Sequence, residues 1–211
     1  YAYDIYQGTS MAAPAISGMI LMLQKHYNNL NPSSFMRAST VRGLICHSAK
    51  EAGYEPGPDY EYGWGLADAE AAANIITNKN ISSILEENTL TNNQVFTKQI
   101  TLDAGQKLMA TICWTDPTST SSGTAEDNRT SKLKNNLDLK VLKNGEIFYP
   151  WKLEYEDPSA PATQFADNNV DNVEKVEIDI ASPGVYTIQV SHKGTLTGGS
   201  QVFSLIANGS T

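Results

Sequence analysis

No run of apolar residues in this chain is long enough to cross a bilayer. The longest, Met19 to Leu23, falls far short of the ~20 residues a spanning helix needs. Clusters of lysine and arginine are missing as well. Fifteen basic against twenty-three acidic side chains leave a net charge of −8, so neither nucleic acid nor an anionic membrane surface is an expected partner. No signal peptide opens the chain. Cysteine is nearly absent: Cys46 and Cys113 fall in segments of different character and read as free, buried thiols. No internal repeat is found. What is present is an ordinary globular composition, 40% apolar and 18% charged, in 211 residues, enough for one large domain or two small ones.

The pattern changes near residue 80. Before it, periodicity is helical. Ile16, Ile20, Leu23 and Tyr27 recur at spacings of three and four in a helix from Thr9 to about Tyr27, with Met19, Leu21 and Met22 on its flanks. A helix apolar on nearly every side predicts burial. Pro14 near its start removes an N–H with little claim on an intrahelical partner. Asn31-Pro32 predicts the opening of a second helix, carrying Phe35, Val41, Leu44 and Ile45 to about Ser48. A Gly/Pro-rich loop follows from Gly53 to Gly65, then a third helix over roughly Leu66 to Ile76.

Beyond Asn80 the apolar runs shorten. Strands are predicted at Thr111–Trp114, Leu137–Leu142, Val176–Ile180, Tyr186–Val190 and Val202–Ala207. Leu137-Asp138-Leu139-Lys140-Val141 and Val176-Glu177-Ile178-Asp179-Ile180 alternate apolar with charged residues, which predicts sheets with one wet face. Asn144-Gly145 is a hairpin signal, and Asp103-Ala104-Gly105 and Ser182-Pro183-Gly184 are further turns. Short strands parted by turns predict an all-β sandwich or jelly roll, and the polar stretch Pro117 to Asn135 an exposed loop.

Gly8-Thr9-Ser10-Met11-Ala12-Ala13-Pro14 carries the chemistry. A small-residue turn delivers Ser10 to the N-terminus of a long apolar helix. Free N–H groups and the positive end of the helix dipole favour developing negative charge there. Such a place suits a nucleophile whose attack creates an oxyanion, held in part by the serine's own backbone N–H. It equally suits a serine that only N-caps the helix.

The full wording of that stretch resembles the serine motif of the subtilases, the subtilisin-like serine peptidases. Asn31-Pro32 and the later Leu44-Ile45-Cys46-His47-Ser48-Ala49 are similar to the family's segment after the nucleophile helix. Tyr62-Gly63-Trp64-Gly65-Leu66-Ala67-Asp68-Ala69 looks like its closing Gly-x-Gly turn and final helix. The resemblance covers about the first 77 residues. It implies that Ser10 is the nucleophile, and a backbone oxyanion donor, of an Asp–His–Ser triad whose acid and base both precede it in the chain. Only nine residues stand before Ser10. They hold no histidine, and no asparagine of the kind the family uses as a side-chain oxyanion donor. His26 lies sixteen residues along the same helix, roughly 24 Å away. His47, His192 and Asp4 have no triad context. The Gly-x-Ser-x-Gly elbow of the α/β-hydrolases does not fit, because Met11-Ala12 follow the serine.

Thr111–Asp116, Asn135–Leu139, Asn169–Glu174 and Pro183–Ile188 resemble the jelly-roll-like domain appended to some secreted subtilases. Within it Asp167, Asn169 and Asp171 place oxygen side chains at every second position, with Asn172 and Glu174 close behind, and Asp138 and Asp116 are candidates to join them. Hard oxygens crowded in a loop suit a structural calcium ion, which some subtilases bind in this domain. Asn and Asp that bond their own backbone in turns give the same pattern.

The expectation is therefore an α/β C-terminal part of a subtilisin-like catalytic domain over residues 1–80, followed by an all-β jelly-roll or sandwich domain over 81–211. The expected function is secreted serine endopeptidase, with a protein or peptide as substrate and the N-terminal part of the catalytic domain as the partner that supplies aspartate and histidine. By itself the chain reads as an inactive fragment or processed piece. The rival is a pseudo-protease or non-catalytic fragment whose β domain binds protein or glycan.

Overall fold

The computed structural model describes residues 4–120, 128, 130–179 and 181–210. Ile180, predicted at a strand end, and parts of the predicted 117–135 loop lie outside the described residues.

Three helices come first: α1 (Thr9–Leu30), α2 (Ala38–Ser48) and α3 (Ala69–Thr77). Eight strands follow: β1 (Ser83–Thr91), β2 (Phe96–Leu102), β3 (Lys107–Trp114), β4 (Asn136–Lys143), β5 (Glu146–Phe148), β6 (Val173–Ile178), β7 (Gly184–Lys193) and β8 (Ser200–Ser210). They form two antiparallel four-stranded sheets, in the orders β1-β8-β3-β6 and β2-β7-β4-β5. The chain is thus mixed helix and antiparallel sheet, mostly β. Among the described residues none before Ser83 forms a strand, so no parallel α/β sheet accompanies the helices.

The two sheets share one apolar core. Leu108, Ala110, Ile112 and Trp114 of β3 and Phe203, Leu205 and Ala207 of β8 meet Leu137, Leu139 and Val141 of β4 and Tyr186, Ile188 and Val190 of β7. The period of two then sends the intervening residues of β3 and β8 to the opposite face. That face is covered by helix. Leu85 and Ile206 join Met19, Leu23, Met36, Val41, Leu44, Ala72, Ile75 and Ile76 in a second core. Between them runs a line of polar pairs: Ser39 and Thr40 Oγ atoms lie 2.9 and 2.8 Å from Ser204 Oγ, and His47 sits between Thr111 and Asn208. Gly43 allows this approach. A Cβ on it would stand 2.9 Å from Cys113 Cβ and 2.9 Å from Ile206 Cδ1.

Several expectations need correction. Asn31 does not open the second helix; it closes the first, donating its backbone N–H and side chain to the Tyr27 carbonyl at 2.8 and 3.0 Å. A turn with Ser33 in the left-handed region intervenes, and α2 begins only at Ala38, leaving Phe35 exposed. Gln24 fixes that connection by bonding both the N–H and the carbonyl of Met36, at 2.9 and 2.8 Å. The third helix starts at Ala69 rather than Leu66. Asp68 caps it through Ala71 N–H, and Leu66 is held instead in a backbone pair with Lys50. Gly65 lets that pair form: its φ is 100°, and a Cβ there would lie 2.3 Å from the Lys50 carbonyl oxygen.

The sheet faces expected to be wet are so only in part: Asp179 is exposed, but its neighbours on these faces are covered. Asp138 is 4% exposed, because the 167–169 segment folds over it. Glu177 is covered by Trp151, whose Nε1 donates to it at 2.8 Å, and by Lys175 Nζ at 2.9 Å. Helix α1 departs in the other direction. Only Met19 and Leu23 are buried, while Leu21 and Met22 remain 72% and 65% exposed. The described residues supply α3 and the start of α2 to one side of it and nothing to the other.

Candidate active site

Helix α1 begins at Thr9, with Gly8 at its N-cap in a positive-φ conformation (φ 139°). The Gly8 carbonyl accepts from Met11 and Ala12 N–H at 3.0 and 3.2 Å, so the first such bond closes one residue past Ser10. Ser10 is therefore inside the first turn. It does not cap the helix, which has no side-chain cap. Its N–H belongs to the set that a helix start leaves without an intrahelical partner, and the residue is exposed. Pro14 is the sixth helical residue, past the first turn. Lacking an N–H, it leaves the Ser10 carbonyl without its i+4 donor.

The three histidines are committed elsewhere. His26 Nε2 lies 2.8 Å from Thr77 Oγ1, tying α1 to α3. His192 Nε2 accepts from Asn93 N–H at 3.0 Å. His47 is fully buried, its Nδ1 2.8 Å from Thr111 Oγ1 and its Nε2 2.8 Å from Asn208 Oδ1. The amide oxygen only accepts, so Nε2 carries the proton and Nδ1 accepts from the Thr111 hydroxyl. Burial first, then the nearby Lys175 ammonium, depress its pKa to about 3. A neutral, enclosed imidazole of this kind is a structural link. Asp4 accepts from the N–H of Ile5, its neighbour in the chain. The thiols are free and electrostatically inert: burial raises Cys46 to about 11 and pushes Cys113 up as well.

Of the four oxygen residues expected near calcium, three come together. Asp138 Oδ1, Asn169 Oδ1 (2.6 Å) and Asp167 Oδ2 (3.0 Å) all meet Lys193 Nζ, and Asp167 Oδ1 pairs with Lys140 at 3.0 Å. Asp171 stays apart, its Oδ2 accepting from Asn168 Nδ2 at 2.8 Å. Asp116 takes the backbone N–H groups of Lys134 and Asn135 at 2.6 and 2.9 Å and so fixes a turn. Glu174, close behind these residues in the sequence, lies within electrostatic reach of Asp138 and Asp167. Its Oε2 accepts from Leu139 N–H at 2.7 Å, bridging the two sheets, and burial drives its carboxyl well above the usual range.

No helix among the described residues is long and apolar enough to cross a membrane.

Comparison with known proteins bears on the first part of the chain. The sequence profile of the subtilase family matches residues 1–65. Fervidolysin of Fervidobacterium pennivorans is 36% identical over 70 residues, 33% of this chain and 9% of its own length. Serotype-specific antigen 1 of Mannheimia haemolytica is 32% identical over 74 residues, 35% of this chain and 7% of its own. The matched segment is thus under a tenth of either relative. Among solved structures, PliG of Aeromonas hydrophila, a periplasmic inhibitor of g-type lysozyme, aligns with 61% of this chain and 86% of its own at 15% identity and a TM-score of 0.33. The seven-residue serine motif lies inside the matched region, and these first 65 residues are what the chain shares with the subtilase family.

Proposed function

We propose that the protein is part of a serine endopeptidase in which Ser10 attacks the scissile peptide bond. The observation that carries this reading is an exposed Ser10 in the first, uncapped turn of α1, within a segment that matches the subtilases. In the proposed reaction a histidine takes the hydroxyl proton as Ser10 Oγ bonds to the carbonyl carbon. The Ser10 N–H, at the positive end of the helix dipole, holds part of the oxyanion. Collapse expels the amine with that proton and leaves an ester on Ser10, which water then hydrolyses.

The base and its aspartate come from a segment upstream of Ser10 in the triad order. Two observations support this. The described histidines are all held by other partners, and α1 keeps a bare apolar flank. An apolar groove of about 520 Å³ between α1 and α2, lined by Ile16, Ile20, Val41 and Ile45 among others, continues that flank. The parallel sheet of a subtilisin-like domain is the occupant this reading assigns to it. Residues 1–80 are then the end of the catalytic domain, and 81–211 an appended domain. The strand orders β1-β8-β3-β6 and β2-β7-β4-β5 support a jelly roll for the latter, being those of eight strands wound as two facing Greek keys. Secretion, and a protein or peptide substrate, are proposed on the family resemblance alone.

The test is active-site labelling. In the parent protein a fluorophosphonate should modify Ser10, and Ser10→Ala should lose both labelling and peptide hydrolysis with its fold unchanged. The isolated 211-residue chain should be inert. Labelling that persists in Ser10→Ala would dispose of the assignment.

A further inference from the structure

The nest of oxygens at one end of the β region has the composition of a calcium site. A calcium ion needs six to eight oxygens at about 2.3–2.6 Å. Here the convergent oxygens already face ammonium groups. An ammonium has three N–H donors, and Lys193 Nζ finds three acceptors: Asp138 Oδ1, Asn169 Oδ1 at 2.6 Å and Asp167 Oδ2 at 3.0 Å. Asp167's other oxygen faces Lys140 Nζ at 3.0 Å, so the two lysines bracket that carboxylate. Asp171, the remaining expected ligand, is turned to Asn168. Lys193 also has a fixed origin. It ends β7 directly opposite Asn136 in the β4 pairing, two residues from Asp138, so the sheet register delivers its stem to the nest. The residues as they stand do not fit a divalent ion.

Their charge nevertheless demands a cation. Asp138 is 4% exposed, and a carboxylate so placed is costly unless paired. Below it Glu174 is fully buried, with Oε1 lacking a hydrogen-bond partner among the described residues. Asn136 Oδ1, beside the nest through its Nδ2 bond to Asn169 Oδ1 at 2.9 Å, is likewise buried without one.

We propose that the Lys193 ammonium is the structural cation of this nest, occupying the position a divalent ion would otherwise need, so that the native β region is calcium-independent and becomes a calcium site when the ammonium is removed. Asp138, Asp167 and Asn169 are then the ligands freed, and the orphaned Glu174 and Asn136 oxygens the nearest reserves. The inference stands apart from the peptidase reading, since it involves neither Ser10 nor the helices.

The experiment is thermal unfolding of the 211-residue chain in millimolar calcium and in chelator, for the wild type and Lys193→Ala, with calcium titration calorimetry of both. The wild type should melt at one temperature in either buffer and give no binding heat. Lys193→Ala should melt roughly 4 °C lower in chelator and recover as free calcium rises, in proportion to its logarithm. Three results overturn the proposal: a wild-type midpoint or heat that responds to calcium and is lost in Asp138→Asn, a Lys193→Ala midpoint equal to wild type in chelator, or a lowered midpoint that calcium does not raise. Should Lys193→Ala fail to fold, the wild-type calorimetry still decides the first point, and Lys193→Met, which keeps the stem's packing, replaces it for the others.

Discussion

His47 Nε2 lies 2.8 Å from Asn208 Oδ1, joining helix α2 to the last strand across 161 residues of chain. With Thr111 at the other ring nitrogen, this imidazole is a neutral bridge between the subtilase-like helices and the β region. Its consequences for stability follow from its proton alone.

The folded-state pKa is about 3 against an ordinary 6.5, so between those values the unfolded chain binds a proton that the folded one does not. Stability from this group is complete above pH 6.5 and falls as pH drops toward 3. At pH 4.5 the loss is about 3 kcal/mol. Glu174 acts with the opposite sign, since its raised pKa makes the folded state bind the extra proton and favours it as pH falls. Denaturant melts of wild type and His47→Gln from pH 4.5 to 7.5 separate the two. The difference between the curves should shrink by about that amount on acidification, and a constant difference would show that His47 titrates normally.

Gly43 sets how closely α2 sits on the sheet. Gly43→Ala places a methyl 2.9 Å from both Cys113 Cβ and Ile206 Cδ1, and should cost about 1–3 kcal/mol. The midpoint of thermal unfolding checks this. An unchanged midpoint would mean that the helix slides on the sheet at no cost.

The exposed flank of α1 makes a paired prediction. Leu21→Lys with Met22→Glu replaces side chains 72% and 65% exposed, so the stability of the chain should change by less than about 0.5 kcal/mol. Its solubility should rise. If that flank receives the upstream part of a catalytic domain, the same two changes should abolish reconstitution of activity when that part is supplied as a second chain. Reconstitution at wild-type level would remove the flank from the interface.

How far the sequence could be read depended on what each segment packs against. The start of α1 around Ser10 was legible because its signals are local: a turn, small residues and a helix start stand within seven positions. The strands with apolar residues on their inward face, β3, β4, β6, β7 and β8, were legible by alternation. Strands β1 and β2 were not. In β1 Leu85 faces the helices and Leu90 the interior of the sandwich, so its apolar residues do not alternate, and Glu86-Glu87 reads as solvent. Those acids have distant partners, Lys98 and Arg37, that no spacing reveals. The nest around Lys193 failed for the same reason. Its acids were found by spacing, but the lysine that answers them is 55 residues from Asp138 and arrives only through the β4–β7 register.

The β region carries its own core, closed between two sheets without help from the helices. Residues 81–211 expressed alone should therefore unfold cooperatively, though less stably, since Leu85, Cys113 and Ile206 lose their cover. Residues 1–77 alone should aggregate. Circular dichroism melts of the two pieces test this division, and a non-cooperative melt of 81–211 would make the two parts one domain.

Peptide mapping of the parent protein after fluorophosphonate treatment shows which residue is the nucleophile. One adduct is expected, on the peptide containing Gly8-Thr9-Ser10-Met11, lost in Ser10→Ala together with peptide hydrolysis that falls by about four powers of ten or more. An active parent protein whose adduct sits on another residue, or whose hydrolysis survives Ser10→Ala, would contradict it.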